Sequence, residues 1–136
     1  MHVEREVVLD ASRDEAWHLL TDPDELAAWL GTPISFDLRP GGVAAYIEPD
    51  GTVRHAVIEQ VREGELLSFV WWEADEGVES RVVFDLTPVE HGTKVAVTET
   101  RASVAGGSRR IPLGALWDDR LFDLERHCIT RQFALA

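Results

Sequence analysis

Six short segments in which apolar and polar residues alternate follow one another through the middle of the chain. Each of them ends at a turn signal, as at Pro40-Gly41-Gly42, Asp50-Gly51 and His91-Gly92. Alternating segments joined by such turns predict an antiparallel meander that buries one face. The segments are ISFDL (34–38), GVAAYIE (42–48), TVRHAVIEQV (52–61), LLSFVWWEA (66–74), ESRVVFDLTP (79–88) and TKVAVTETRA (93–102).

A strand and two short helices are predicted before this meander. Residues 3–10 alternate in part and favour a first strand. Ser12, followed three residues later by Glu15, forms a capping-box pattern that begins a helix. Pro23 suits the first turn of a second short helix over residues 23–30, which Gly31 would end.

A long amphipathic helix is predicted at the C-terminal end, beginning after Pro112. Its main apolar stripe contains Leu113, Trp117, Leu121, Leu124 and Cys128. A second, thinner stripe contains Phe122, Ile129 and Phe133. We expect this second stripe to pack on the short helices or the first strand, and a dimer contact is the alternative.

These elements predict a single α+β domain over residues 1–136, in the order β-α-α-β6-α. A curved antiparallel sheet of about seven strands must cover its apolar face, and the long helix is the only predicted element large enough to do so. A sheet bent around a single helix closes poorly along its whole length. The arrangement therefore predicts an apolar cavity between the two layers.

Composition narrows the classes of partner. The chain has 13 basic and 25 acidic residues and a formal net charge of −12, which argues against binding to nucleic acid or an anionic membrane surface. No apolar run approaches the ~18 residues of a membrane span, and the first residues are charged where a signal peptide is apolar. With one cysteine, Cys128, no disulfide can form within the chain, and we expect a cytoplasmic protein. We also expect a monomer or a weak homodimer.

Strand parity assigns aromatic side chains to the inner or outer face. Leu67, Phe69 and Trp71 share one parity, so Trp71 is predicted to face inward and Trp72 outward. Inward aromatic residues are either plain core or ligand contacts. Tyr46 is the sharpest ligand candidate, because a buried phenol requires a hydrogen-bond partner. The residues predicted to line the cavity are Trp29, Phe36, Tyr46, Trp71, Phe84, Val97, Leu113, Trp117 and Leu121.

Catalytic candidates are few. His55 is expected on the surface of its strand, and would be the best general base if it faced inward. Glu99 shares parity with inward valines, although exposure at the strand end is the simpler interpretation. If buried, it would need a partner such as Arg101 or Arg81. None of the five histidines has a recognisable metal-ligand spacing, so we expect no metal and no cofactor.

Several stretches resemble one bacterial family. They are DPDELAAWL (22–30), LRPGG (38–42), LLSFVWWE (66–73), VVFDLTPVEHGTKVAV (82–97) and GALWDDRLFDLERHC (114–128). The family is named for homologues of the activator of the heat-shock-protein-ninety ATPase, within the SRPBCC (START and birch-pollen-allergen-like) superfamily. The resemblance covers about residues 3–130 and implies a helix-grip fold. Ala44 stands where the family often has a bulky residue, which would enlarge the cavity.

Three functions follow as expectations from the fold and the resemblance. The first is binding of a small apolar or aromatic molecule, such as a lipid or polyketide, since superfamily relatives bind molecules of these kinds. The second is an enzyme, either a polyketide-type cyclase or a hydrolase, which requires an acid or base inside the cavity. The third is a chaperone-assisting or other protein-interaction module. Fold alone does not decide among them, and binding without catalysis is the function that we expect.

Overall fold

The computed structural model describes residues 1–75, 78–101 and 113–135. It contains seven strands and three helices within those ranges. In chain order they are β1 (His2–Leu9), α1 (Arg13–Thr21), α2 (Pro23–Leu26), β2 (Thr32–Phe36), β3 (Val43–Ile47), β4 (Val53–Arg62), β5 (Leu66–Glu73), β6 (Ser80–Val89), β7 (Gly92–Arg101) and α3 (Leu113–Leu135).

The seven strands form one antiparallel sheet in the order β1-β7-β6-β5-β4-β3-β2. Strands β2 to β7 are a simple meander, and β1 closes the other edge by pairing along β7 from His2 opposite Thr100 to Leu9 opposite Thr93. The long helix α3 lies across the sheet and contacts β1, while α1 packs on β6 and β7. The predicted α+β helix-grip architecture is confirmed.

Local signals explain where the helices begin and end. The Ser12 hydroxyl accepts a hydrogen bond from the Glu15 backbone N–H at 3.2 Å, as the capping box predicts. Helix α2 is shorter than predicted, because it ends at Leu26 rather than Leu30. The backbone N–H groups of Leu30 and Gly31 both donate to the Leu26 carbonyl, which closes the helix in a compact turn.

The turn between β2 and β3 requires its glycines. Gly41 has a φ of 82°, in the left-handed region that favours glycine. A Cβ on Gly42 would lie only 2.1 Å from the Asp37 carbonyl oxygen. Gly41 and Gly42 are therefore needed by the backbone. Strand β2 ends at Phe36, two residues before the end that the sequence pattern predicted at Leu38.

One of the two apolar stripes of α3 is buried and the other is exposed. Trp117, Leu121, Leu124 and Cys128 are all buried against the sheet, as predicted. The prediction for the second stripe was wrong, because its side chains are 58%, 46% and 78% exposed at Phe122, Ile129 and Phe133. Helix α3 instead reaches α2 through His127 and Arg131, which both pair with Glu25. These residues leave the second stripe on the far side of the helix.

None of the helices in the described ranges has the length and apolar character needed to cross a membrane. Pro112, expected to precede α3, lies outside the described residues.

Candidate functional site

The predicted inner face is where strand parity places it. Buried members of the predicted cavity set are Trp29, Tyr46, Trp71, Phe84, Val97, Trp117 and Leu121, while Phe36 is half-buried. The side chain of Leu113 lies outside the described part of the chain. Trp29 donates from its indole Nε1 to the Leu19 carbonyl at 2.9 Å, which links the turn after α2 to α1. Its contacts are those of a core residue, and the other members of the set remain predicted ligand contacts.

At one end of the interior the inner face carries buried charges rather than apolar side chains. Arg54 on β4 is 2% exposed and Arg120 on α3 is 8% exposed. Arg54 Nε and Arg120 Nη2 donate to the same oxygen, Glu48 Oε1, at 2.6 and 2.9 Å. Arg54 Nη2 also donates to Glu73 Oε1 at 3.1 Å. We call the group formed by Glu48, Arg54, Glu73, Glu99 and Arg120 the charged cluster.

Two tryptophans lie beneath these arginines. The rings of Trp71 and Trp117 stack with centroids 6.1 Å apart and planes inclined at 21°. The guanidinium carbon of Arg54 is 4.4 Å from the Trp71 ring centroid, and that of Arg120 is 4.7 Å from the Trp117 centroid. These are cation–π distances, which strengthen when the partners are shielded from water. The stack and the two guanidinium groups form one packed unit.

Glu99 holds the tryptophan pair in place. The expectation that it is exposed at the strand end was wrong, because Glu99 is 1% exposed. Its Oε1 accepts from Trp117 Nε1 at 2.8 Å, and its Oε2 accepts from Trp71 Nε1 at 2.9 Å and from the Ser80 hydroxyl. Neither suggested arginine partner makes these contacts. Arg81 pairs with Glu59 on the outer face, and Glu99 is satisfied by neutral donors instead.

The surroundings of Glu99 favour its ionised form. Burial alone raises the pKa of a carboxyl group, but hydrogen bonds from Ser80, Trp71 and Trp117 lower it, and the net pKa of Glu99 lies below its ordinary value. With both oxygens already accepting hydrogen bonds, Glu99 is arranged to orient indoles rather than to take a proton from a substrate.

The two other predicted site residues, His55 and Tyr46, lie on opposite faces of the sheet. His55 is exposed on the outer face, where its ring lies 6.0 Å from that of Trp72, so it is not an interior base. Tyr46 is 2% exposed and pairs across the sheet with Arg54. Burial raises the pKa of the Tyr46 phenol, which keeps the hydroxyl neutral and able to donate a hydrogen bond.

The sequence prediction considered only Glu99 among the members of the charged cluster and did not include the two arginines. The same parity that assigned Trp71 inward also applies to Arg54, which shares its face with Ala56 and Ile58. Arg120 follows Trp117 by three residues, a spacing that places both on one side of a helix. The signal was therefore present, as charged residues at positions where parity and helical spacing require burial.

One group of side chains that could ligate a metal ion lies near α1 and α2. Donor atoms of His18, Asp22 and Glu25 come within 4.8 Å of one another. Asp22 caps α2 by accepting from Asp24 and Glu25 backbone N–H groups, and Glu25 pairs with His127 at 2.7 Å. Asp22 and Glu25 therefore already have structural roles in joining the helices.

The fold is similar to that of several solved structures. DynU16, a protein in the dynemicin biosynthetic locus, is 25% identical with a TM-score of 0.83, and the match covers 96% of this chain but only 48% of DynU16. A Mesorhizobium loti protein is 24% identical with a TM-score of 0.83 over 96% of this chain and 98% of its own. CalU16 from Micromonospora echinospora is 24% identical, with a TM-score of 0.73 over 98% and 78% of the two chains.

A search of the curated proteins found no match. The family described as activator of Hsp90 ATPase homolog 1-like protein matches residues 10–122, which is most of the chain and includes every strand from β2 to β7, α1, α2 and the first half of α3. The solved structures share the helix-grip fold of the SRPBCC superfamily. The chain therefore belongs to the activator of Hsp90 ATPase homolog 1-like family, within that superfamily.

Proposed function

We propose that this protein binds a small apolar or aromatic molecule between the sheet and α3, at the end that carries the charged cluster. The observation that carries the proposal is the placement of two buried arginines, Arg54 and Arg120, over the stacked rings of Trp71 and Trp117. Small-molecule sites combine a mostly aromatic or apolar lining with a few convergent polar groups.

Fold stability alone gives no reason for this arrangement. Removing two guanidinium groups from water costs more than packing apolar side chains of the same size, and buried ion pairs often stabilise less than such replacements. Family membership supports the same function, since the fold commonly binds hydrophobic ligands. The similarity to DynU16, from a biosynthetic locus, favours a metabolite as the ligand. We place the protein in the cytoplasm, because its one cysteine, Cys128, is buried and unpaired.

Binding can be tested with a panel of flavonoids, fatty acids, sterols and aromatic polyketides, read by thermal shift and by the indole N–H signals of the five tryptophans. At a hundredfold excess over Kd a ligand adds about 2.7 kcal/mol to stability, which raises Tm by roughly 5–10 °C in a chain of this size. We expect the Trp71 and Trp117 indole signals to move first.

Two matched variants locate the site. Trp117→Phe should weaken any hit, because it removes the indole donor to Glu99 and half of the stack. Trp72→Phe alters the neighbouring residue on the outer face and should leave the affinity unchanged. If no panel member moves any indole signal, or if only the Trp72 variant matters, the proposed site is wrong.

A contact between two copies of the chain is the second candidate function. It is favoured by the exposed stripe of α3, where Phe133 is 78% exposed and Phe122 is 58% exposed. Exposed apolar side chains grouped on one helix face are typical of interaction surfaces. Sedimentation over a range of concentrations should show self-association that Phe133→Ser abolishes. A monomer at every concentration would eliminate this candidate.

A further inference from the structure

The two buried arginines of the charged cluster each retain a donor that nothing in the described residues accepts. Glu48 Oε1 binds Arg54 Nε and Arg120 Nη2, and Glu73 binds Arg54 Nη2. The remaining terminal nitrogens, Arg54 Nη1 and Arg120 Nη1, are fully buried and have no hydrogen-bond acceptor among residues 1–75, 78–101 and 113–135. The shared oxygen of Glu48 places the two guanidinium groups side by side.

Two such donors together are unusual in a folded protein. A buried N–H without an acceptor destabilises the native state, and few remain in native structures. Here they belong to neighbouring side chains that lie over the Trp71 ring, at 4.4 and 5.1 Å from its centroid. An oxygen atom of a bound aromatic molecule would accept from both donors while its ring system lies against the aromatic side chains.

The local charges decide which kind of oxygen fits. Both arginines already face carboxylates, since Glu48 contacts both and Glu73 contacts Arg54. Glu99 adds a third negative charge near Arg120 and is held ionised by its three donors. The carboxylates already compensate the positive charge of both guanidinium groups, so an anionic ligand would add an unbalanced charge to a site shielded from water, whereas a neutral carbonyl oxygen adds none.

We propose that Arg54 and Arg120 form a recognition site for the neutral carbonyl oxygen of a flat aromatic molecule. This inference rests on the proposed function and adds the chemical class of the ligand. It assigns the two Nη1 donors to one carbonyl oxygen, in the way that paired donors read a polar substituent and reject an analogue that lacks it.

Three naphthalenes with the same ring system test this chemistry. They are 2-acetylnaphthalene, which has a neutral carbonyl; 2-isopropenylnaphthalene, in which a CH2 group replaces the carbonyl oxygen; and 2-naphthoate, which carries an anion. Titrations followed by indole N–H shifts should show the acetyl compound binding about ten- to a hundredfold tighter than the isopropenyl compound. The naphthoate should bind more weakly than the acetyl compound.

Arginine variants then assign the selectivity to the two side chains. Arg54→Lys and Arg120→Lys each keep a positive charge but remove the fork of nitrogens, so each should reduce the preference for the carbonyl to near unity. Arg81→Lys is the matched control, because Arg81 pairs with Glu59 on the outer face. That variant should keep the full preference.

The outcomes separate the two proposals. Equal binding of the acetyl and isopropenyl compounds to the wild-type protein would overturn the carbonyl site and leave aromatic binding intact. Tightest binding of the naphthoate would show that the arginines read an anion, which also overturns it. Binding of none of the three, together with no hit from the wider panel, would overturn the proposed function as well. The wild-type comparison decides even if a lysine variant fails to fold.

Discussion

The two ends of the interior are built on different principles. At the apolar end, where α1 covers β6 and β7, most of the buried side chains are hydrocarbon, among them Leu19, Leu20, Leu86 and Val95. At the other end, Arg54, Glu99 and Arg120 are buried to a similar degree, at 2%, 1% and 8% exposure. One sheet and one helix thus contain both a conventional core and a charged cluster.

This difference separates the residues that stabilise the fold from the residues that we propose for ligand binding. Hydrocarbon removed from water stabilises the fold in proportion to its area, and it needs no partner of defined geometry. A buried guanidinium stabilises nothing by itself and depends on every acceptor around it. We therefore expect the apolar end to dominate stability and the charged cluster to dominate ligand selectivity, and the following experiments test that division.

The largest effect should come from breaking the charged cluster with one substitution. Arg54→Met removes two charge-assisted hydrogen bonds, one to Glu48 and one to Glu73, and leaves these half-buried carboxylates beside an apolar side chain. We expect a loss of about 3–5 kcal/mol in the free energy of unfolding, measured by urea denaturation at neutral pH.

Replacing Glu48, Arg54 and Arg120 together should reverse that loss. In the triple variant Glu48→Leu, Arg54→Met and Arg120→Leu no buried charge of the trio is left unpaired, so stability should return to within about 1 kcal/mol of wild type or exceed it. Aromatic binding selectivity should be lost. A triple variant as unstable as Arg54→Met would mean that the cluster supports the fold itself.

At the apolar end, Leu20→Ala should cost about 2–4 kcal/mol, because it leaves a space among packed hydrocarbon side chains. Ligand selectivity should be unchanged. Leu66→Ala is the matched control, since Leu66 is only half-buried, and its cost should be clearly smaller. If Leu20→Ala altered the preference for the carbonyl compound, the two ends would not act independently.

Much of the fold could be predicted from the residue pattern, because alternation and turn glycines act locally. The positions of β3 to β7, the Ser12 cap and the inward direction of Trp71 follow from spacing alone, whereas β2 lies over residues 32–36 rather than 34–38. The end of α2 could not be placed, since the turn at Leu30 and Gly31 is closed by backbone bonds that many sequences allow.

The site was only half predictable. The aromatic members followed from parity, but the partners of Glu99 come from three separate elements, β5, β6 and α3, and no local pattern joins them. The exposed stripe of α3 was misassigned for a related reason. Periodicity shows that a helix has two apolar faces, but only tertiary packing decides which one meets the sheet.

The stability contributed by the charged end should depend on pH, because it includes the ionised carboxylate of Glu99. Its folded pKa lies below the ordinary value of 4.5, so its stabilising contribution is complete above that pH and is lost as the pH falls through the folded pKa. Glu99→Gln presents an amide N–H to indole and hydroxyl donors, and it should cost roughly 2 kcal/mol at pH 7. This difference from wild type should shrink below pH 4.5. A gap that stays constant with pH would show that Glu99 is not ionised in the folded protein.

The smallest effect is expected from removing a single hydrogen-bond donor to Glu99. Ser80→Ala removes one donor to Glu99 Oε2, while Trp71 Nε1 keeps its own bond to that oxygen at 2.9 Å. With one of three donors gone, the cost should be about 1 kcal/mol at pH 7 and should disappear in acid, because a protonated Glu99 no longer needs the hydroxyl. Ser68→Ala makes the same change at a buried serine of β5 on the outer face, away from Glu99, and should show no such pH dependence. If both serine variants behaved alike, Ser80 would only fill space and would not stabilise the ionised form of Glu99. The tryptophan pair would then be held by its indole hydrogen bonds alone.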